Sequence, residues 1–202
     1  MRLNYVTVGA CAAVVSLMAA LAAKTYIDKK KWEEAKIDFD NSAEEIHEQI
    51  RKAKDAAIVD SYESAFNIFM DIRRQIIEIA DSAYMSFDNA NRCISDIKDS
   101  IREASDKIAT HITILEGKML PEKREIIYKE YQDFINVKRQ LNSLLRDTIE
   151  DKNNHLEKVR AFNHEVHNLN EYIRDNCGPG GHIWYMRLQE RKRTREAHSD
   201  KM

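Results

Sequence analysis

Apolar residues recur every seven positions along the middle of the chain. Alternate steps of four and three residues from Tyr62 to Leu115 meet an apolar or aromatic side chain at fourteen of sixteen positions. A repeat of this length predicts an α-helix that buries one seam against a partner helix, as in a coiled coil. The largest side chains of the seam are Phe66, Phe69, Ile76, Phe87, Ile94, Ile97, Ile101 and Ile108.

The repeat has one break. Residues from Phe39 to Ala57 follow the same steps, but five residues separate Ala57 from Tyr62, which shifts the register. No Gly or Pro occurs within residues 24–116, so no residue there is obliged to end a helix. We therefore predict one long helix over 24–116, with a bend or a change of supercoiling near Asp60.

A short turn is expected to separate this helix from a second one. Gly117 can end a helix in the left-handed conformation, and Pro121 suits the first turn of the next helix. Residues 122–176 carry another apolar stripe, so we predict a turn over 117–121 and a second, antiparallel helix over 122–176. The first helix is longer by roughly 56 Å, and the excess either folds back near Asp60 into a three-helix bundle or pairs with another chain. The predicted fold class is all-α, a long antiparallel coiled-coil helical hairpin with the three-helix bundle as its alternative form.

The chain begins with a stretch that carries no charge. Residues 3–23 number 21, and a helix of that length spans about 31 Å, the thickness of the hydrocarbon core of a bilayer. We therefore predict a transmembrane anchor over residues 1–23 and a single-pass membrane protein. The run Lys29–Lys31 follows closely, and the positive-inside rule then places the C-terminal bulk in the cytosol.

Export is the alternative for this N-terminal stretch. Ala20-Leu21-Ala22 has the small-x-small form of a signal-peptide cleavage site. Val8-Gly9-Ala10-Cys11 loosely resembles the lipid-attachment motif of lipoproteins. Either feature would place the helical part outside the cytosol.

The last segment, residues 177–202, is expected to be a glycine-rich joint followed by a basic tail with aromatic residues. Aromatic side chains beside a basic cluster suit an anionic bilayer interface or a protein partner. In the other interpretation, Trp184 and Leu188 cap the end of the bundle and the arginines are solvated. The candidate contact residues are Trp184, Tyr185, Arg187, Arg191, Lys192, Arg193 and Arg195.

The composition agrees with a helical protein and narrows the classes of partner that it could bind. Gly and Pro number five and two in 202 residues, too few for the turns of a sandwich, a barrel or a doubly wound sheet. Lys and Arg (32) nearly balance Asp and Glu (34), so we expect no nucleic-acid partner. Cys11, Cys93 and Cys177 form no CxxC pair, which argues against a zinc site or a disulfide framework.

The sequence contains no glycine-rich phosphate loop, nucleophile elbow or zincin motif. We therefore expect no enzyme activity, no cofactor, no metal and no small-molecule substrate. One ligand set stays open as a rival: His164, His167 and Glu171 share a helix face at spacings of three and four residues. A helical metal-binding protein is the function that this set would indicate.

The end of the second helix resembles a known family. The pattern Phe162-Asn163-x-x-Val166-x-x-Leu169-Asn170-x-x-Ile173-Arg174 is similar to the terminal helix of LemA-family proteins. The chain departs from the family where Leu169 replaces an aromatic residue and where Asn176-Cys177 stand in place of Phe-Pro. The resemblance covers residues 162–174 and the overall topology. It implies a helical protein with an N-terminal membrane anchor and adds no catalytic residue.

Together these features predict a non-enzymatic, membrane-anchored coiled-coil scaffold or tether. Its partner is expected to be another protein or a second copy of the chain. An exported envelope or lysis-type rod protein is the first alternative, and a helical metal-binding protein is the second.

Overall fold

The part of the chain that the structure describes folds almost entirely into α-helices. The structure is a computed structural model that describes residues 2–56, 61–116 and 121–199, with side chains from residue 19 onward except at 56, 111–124, 126, 127, 130 and 199. The described residues contain no strand, which confirms the all-α prediction. The four helices are α1 (Arg2–Ala56), α2 (Tyr62–Glu116), α3 (Pro121–Asn176) and α4 (Gly178–Ser199).

Two helices occupy the region where we expected one over 24–116. α1 ends at Ala56 and α2 begins at Tyr62, so the separation falls at the register break. Ser61 caps the new helix, because its hydroxyl accepts a hydrogen bond from the Ser64 N–H at 3.3 Å and its carbonyl accepts one from the Ala65 N–H at 3.1 Å. The shift of the apolar stripe thus coincides with the end of one helix and the start of the next, rather than with a bend in a single helix. Residues 57–60 and the predicted turn residues 117–120 lie outside the described residues.

The chain divides into two compact units. The first consists of Met1–Glu34 and Ser86–Asn154, and the second of Ala35–Met85 and His155–Met202. α1, α2 and α3 therefore each contribute a segment to both units, while α4 belongs to the second unit.

In the first unit, α2 and α3 run antiparallel, as the predicted hairpin requires. Lys138 Nζ donates to Ser105 Oγ at 2.9 Å. Farther along α3, Lys152 contacts Asn91, which lies earlier in α2 than Ser105. The apolar side chains between the helices form one core. Its buried members are Leu21, Ile94, Ile97, Ile101, Ala104, Ile108, Phe134, Leu141 and Leu145.

α1 completes the first unit as a third helix. Leu21 is buried in the core, and Lys24 Nζ lies 3.9 Å from a carboxylate oxygen of Asp96 on α2. Trp32 Nε1 donates to Asp151 Oδ2 on α3 at 2.8 Å. The excess length of the predicted first helix thus folds back onto the hairpin, which is the three-helix form.

In the second unit, α1 and α3 run parallel and α2 runs antiparallel to them. Lys158 Nζ lies 3.3 Å from Asp40, and farther along both helices Lys54 Nζ lies 4.8 Å from the ring centroid of Tyr172. Phe69, near the start of α2, packs against the same Tyr172 ring near the end of α3. The buried core consists of Phe39, Ile46, Ala53, Ala65, Phe69, Ile72, Ile76, Ala80, Ala83, Val159, Phe162, Leu169, Ile173 and Cys177.

The side chains of the predicted seam face these two cores. Phe66 and Phe87 are half-buried: Phe66 packs against the core of the second unit, and Phe87 contacts Lys152. The remaining six are buried: Phe69, Ile76, Ile94, Ile97, Ile101 and Ile108.

The structure corrects the expected flexible joint and tail, because the described residues 178–199 of this segment form the helix α4. Gly178 has a φ of +62°, which turns the chain at a single residue, and Pro179 then occupies the first turn of α4, where a missing N–H costs nothing. A Cβ on Gly178 would lie 2.8 Å from Tyr62 Cγ, and one on Gly181 would lie 2.2 Å from the Ile173 carbonyl oxygen. These glycines permit a close turn rather than a mobile linker.

Among the residues that the structure describes, no helix combines the length and the apolar character needed to cross a membrane. The side chains of residues 1–18, which make up most of the predicted anchor, lie outside the described set. The transmembrane helix over 1–23 therefore finds no support in the structure and stays a prediction.

Candidate functional site

The first turns of α4 are fixed to the second unit by their aromatic side chains. The Trp184 ring packs edge-on against Phe66, with 6.2 Å between centroids, and Tyr185 lies under the Arg174 guanidinium at 5.0 Å. Both rings are half-buried. Of the seven candidate contact residues in the tail, these two therefore belong to the packing of the unit, which matches the interpretation that Trp184 caps the bundle.

Arg73 links α4 to the rest of the second unit. Its guanidinium lies 5.6 Å from the Trp184 ring centroid, and its Nε donates to Asn170 Oδ1 at 2.7 Å. Asn170 is buried, and burial lowers the pKa of Arg73. A planar guanidinium can stack on an indole and at the same time donate hydrogen bonds in its own plane, which a lysine at this position could not do.

The other five candidate residues of the tail form an exposed group, which we name the α4 basic surface: Arg187, Arg191, Lys192, Arg193 and Arg195. Within the described part of the chain, none of the five makes an ion pair. Glu190 is exposed among them, and its carboxylate leaves the net charge of this surface positive. α4 thus presents four guanidinium groups and one ammonium group to the solvent, and the guanidinium groups can bind carboxylates or phosphates in bidentate geometry.

Two apolar side chains precede this surface on the outward side of α4. Ile183 and Met186 are 53% and 57% exposed, and they lie one helical turn apart. They point away from the side on which Trp184 packs. On this outer face Met186 is followed by Glu190 and Arg193, whereas Arg187, Arg191 and Arg195 lie on the same side of the helix as Trp184.

A buried lysine, which was not among the residues predicted from the sequence, lies in the first unit. Lys152 is only 1% exposed, its Nζ donates to Asn91 Oδ1, and the same nitrogen lies 4.7 Å from the Phe87 ring centroid. Burial lowers the pKa of Lys152 to about 8, against the opposing attraction of Asp88 and of Cys93. The signal that could have found it is its position: Lys152 falls on the apolar stripe of α3, three residues after Ile149 and four before Leu156.

Cys93 lies in the same unit and is half-buried. Burial and the neighbouring Asp28 carboxylate both raise the pKa of the Cys93 thiol. A thiol with a raised pKa remains protonated and is a poor nucleophile. The Cys93 thiol is therefore not an activated nucleophile.

The rival metal ligands lie on the surface of α3. His167 Nε2 is 3.7 Å from Glu171, and the His164 and His167 rings are 5.7 Å apart between centroids. Within the described residues, no three His, Cys, Asp or Glu side chains are grouped so that they could hold a metal ion. The arrangement of His164, His167 and Glu171 is that of an exposed helix face.

The fold and this surface define the class: an all-α protein of long packed helices with a basic C-terminal helix. Compared with known protein families, with curated proteins and with solved structures, the chain matches none. The resemblance of residues 162–174 to the LemA family therefore stays a resemblance. Asn170, one of its two asparagines, serves in this chain as the acceptor for Arg73.

Proposed function

We propose that this protein is a non-enzymatic helical scaffold that holds a protein partner on α4 and is tied to a membrane by its N-terminal segment. The α4 basic surface carries the proposal. Its basic side chains stand exposed on a helix whose first turns are locked by Trp184 and Tyr185. A preformed rigid helix loses little conformational entropy when it binds, which favours recognition.

Membrane attachment is supported by the sequence. Residues 3–23 lack charged side chains, and Lys29–Lys31 follow them. In this proposal the segment spans the bilayer once and the C-terminal bulk lies in the cytosol. Reporter fusions after Met202 test the orientation: a reporter active only outside the cytosol would favour an exported rod protein instead.

Site-specific photo-crosslinking of the full chain in its host cells tests the partner. A photoreactive residue replaces Arg193 in one variant and Arg146, an exposed arginine of α3, in the other. We expect a discrete covalent adduct from position 193 and none from position 146. If position 193 yields no adduct above the control, α4 holds no protein and the proposal fails.

A further inference from the structure

Two contacts in the first unit show how α1 lies along the hairpin of α2 and α3. Lys24 Nζ lies 3.9 Å from a carboxylate oxygen of Asp96. One helical turn farther along α1, the Asp28 carboxylate neighbours the Cys93 thiol, which lies one turn earlier on α2. α1 therefore runs antiparallel to α2, and since α2 and α3 are antiparallel to each other, α1 runs parallel to α3.

α1 and α2 extend from this contact to about the same level of the unit. From Lys24, α1 continues back over 22 residues to Arg2, a length of about 33 Å. From Asp96, α2 continues in the same direction over 20 residues to Glu116, a length of about 30 Å. The first turns of α1 therefore lie level with the end of α2.

α3 has the same extent. Trp32 Nε1 donates to Asp151 Oδ2 on α3 at 2.8 Å. From this contact both helices continue back over 30 residues, about 45 Å, α1 to Arg2 and α3 to Pro121. Met1–Glu34 also belongs to one compact unit with the hairpin. The charge-free residues 3–23, predicted to be a membrane anchor, therefore lie beside the hairpin along their whole length.

The neighbouring part of the hairpin is too charged to enter a bilayer together with this segment. Charged side chains are strongly disfavoured in hydrocarbon. The segment can therefore span a bilayer only after it separates from the hairpin, so its packed form and its spanning form exclude each other. The exposed charged side chains of the hairpin at this level are Lys98, Asp99, Arg102, Glu103, Asp106, Lys107, Asp133 and Arg139.

The packed form leaves apolar side chains of α1 in contact with water. Tyr26 is 70% exposed and Ile27 is 51% exposed, and Ala22 and Ala23 before them are exposed as well. Residues 3–23 carry no charged side chain, so no face of this part of α1 is charged. A helix that is apolar on every face is typical of a protein core or a bilayer, and the hairpin can cover only part of it. A bilayer is therefore the second environment that suits this segment.

We infer that the N-terminal part of α1 has two alternative binding sites, the hairpin of the first unit and an anionic bilayer, and that the hairpin masks the segment until α1 separates from it. This inference rests on the proposed function and names the regulation of its membrane attachment. Only residues 2–34 of α1 have to leave the hairpin, because residues 35–56 belong to the second unit. The bilayer shifts the equilibrium by as much as it favours the released segment over the packed one.

A crosslink across the first unit tests the inference on the full chain. Lys24→Cys and Asp96→Cys are joined by a short bismaleimide, in a background where alanine replaces the native cysteines Cys11, Cys93 and Cys177. The chain is then mixed with vesicles of phosphatidylserine in phosphatidylcholine, and flotation measures the ratio of bound to free protein. The crosslink holds α1 on α2, so we expect it to lower this ratio at least about tenfold.

A matched control crosslink joins α1 to α3 in the second unit. Asp40→Cys and Lys158→Cys replace an ion pair whose charged atoms lie 3.3 Å apart. This pair also ties α1 to another helix, but it leaves residues 2–34 free to separate from the hairpin. The control chain should bind vesicles like the chain that carries no crosslink.

A substitution that weakens the packed form should have the opposite effect. Trp32 is 3% exposed and donates to Asp151, so Trp32→Ala removes packing between α1 and the hairpin. We expect it to raise the ratio of bound to free protein at least about tenfold. Phe39→Ala removes a buried aromatic residue of α1 in the second unit and should leave the ratio unchanged. Melting curves should show that every variant folds.

The outcomes separate this inference from the proposed function. If the Lys24→Cys, Asp96→Cys chain binds vesicles equally well with and without its crosslink, the inference is wrong and membrane attachment stands. Equal losses from the two crosslinks, or equal binding by Trp32→Ala and Phe39→Ala, would also overturn it, because binding would then not depend on release in the first unit. If no form of the chain binds vesicles, both the inference and the membrane attachment fail.

Discussion

Lys152 occupies a seam position that an apolar side chain would normally fill. A buried ammonium loses hydration, and its neighbours, the Asn91 amide oxygen and the Phe87 ring, replace only part of it. The pKa of Lys152 is lowered to about 8 because burial removes hydration from its charged form. Lys152 fixes the register of α3 against α2, because its buried Nζ needs a hydrogen-bond acceptor and Asn91 provides it.

The pH dependence of stability should reveal this lysine. Below pH 8 it is protonated in both the folded and the unfolded chain. Between about pH 8 and 10.4 the folded chain releases the proton first, so the unfolded chain binds more protons and the free energy of unfolding rises with pH. The gain attributable to Lys152 should reach at most about 3 kcal/mol.

Lys152→Met isolates this contribution from other groups that titrate in the same range. Burial raises the pKa values of Cys177 and Tyr172, so these groups make the free energy of unfolding fall as the pH rises. The free energy of unfolding of Lys152→Met minus that of the wild type should therefore fall steadily from pH 7 to 10. Lys158→Met, at an exposed lysine, is the control, and the same change with pH in both variants would contradict the assignment.

The seam also shows what residue patterns can and cannot predict. The heptad marks which positions face the cores, because burial depends on local periodicity. It does not predict how the half-buried Arg73 packs, since that depends on Asn170 and Trp184, which come from two other helices. Lys152 is missed for the same reason: its partners are distant in sequence.

At the scale of elements, the helix boundaries follow local rules except at α4. The register break near Asp60 and the Gly117–Pro121 signals lie where α1, α2 and α3 end or begin. The run Cys177-Gly178-Pro179-Gly180-Gly181 predicts a flexible joint by composition. Packing decides otherwise, because Gly178 permits the tight turn and Trp184 secures the helix that follows.

Substitution of the two glycines in this run should have opposite effects on stability. Gly178→Ala places a Cβ in the left-handed region and 2.8 Å from Tyr62 Cγ, so it should lower stability by at least about 1–2 kcal/mol. Gly180→Ala meets no atom within 4 Å and lies inside α4, so it should be neutral or stabilising by up to about 1 kcal/mol.

Thermal unfolding and the rate at which protease cleaves α4 measure both glycine effects. Gly178→Ala should expose α4 to cleavage, and Gly180→Ala should protect it. Equal behaviour of the two variants would mean that the joint is flexible, as its composition alone suggests, and that α4 does not depend on the turn at Gly178.

At the scale of the whole molecule, two separate apolar cores stabilise one chain. The first core is built around isoleucines of α2, such as Ile94, Ile97 and Ile101, and the second around aromatic residues, such as Phe39, Phe69 and Phe162. The all-α class and the helical hairpin follow from the sequence. The division into two units does not, because the apolar repeat of α2 continues through both without interruption.

A pair of neighbouring substitutions tests whether the seam of the first unit carries the stability of the protein. Ile97 is 2% exposed and Lys98 is exposed, so Ile97→Asp buries an unpaired carboxylate while Lys98→Asp changes only a surface charge. Ile97→Asp should lower the free energy of unfolding by several kcal/mol, and Lys98→Asp should change it by about 0.5 kcal/mol or less. Denaturant unfolding of the full chain, followed by helical circular dichroism, measures both. Similar midpoints for the two variants would show that the seven-residue repeat is not a buried interface, and the packing of α2 against α1 and α3 in this unit would have to be abandoned.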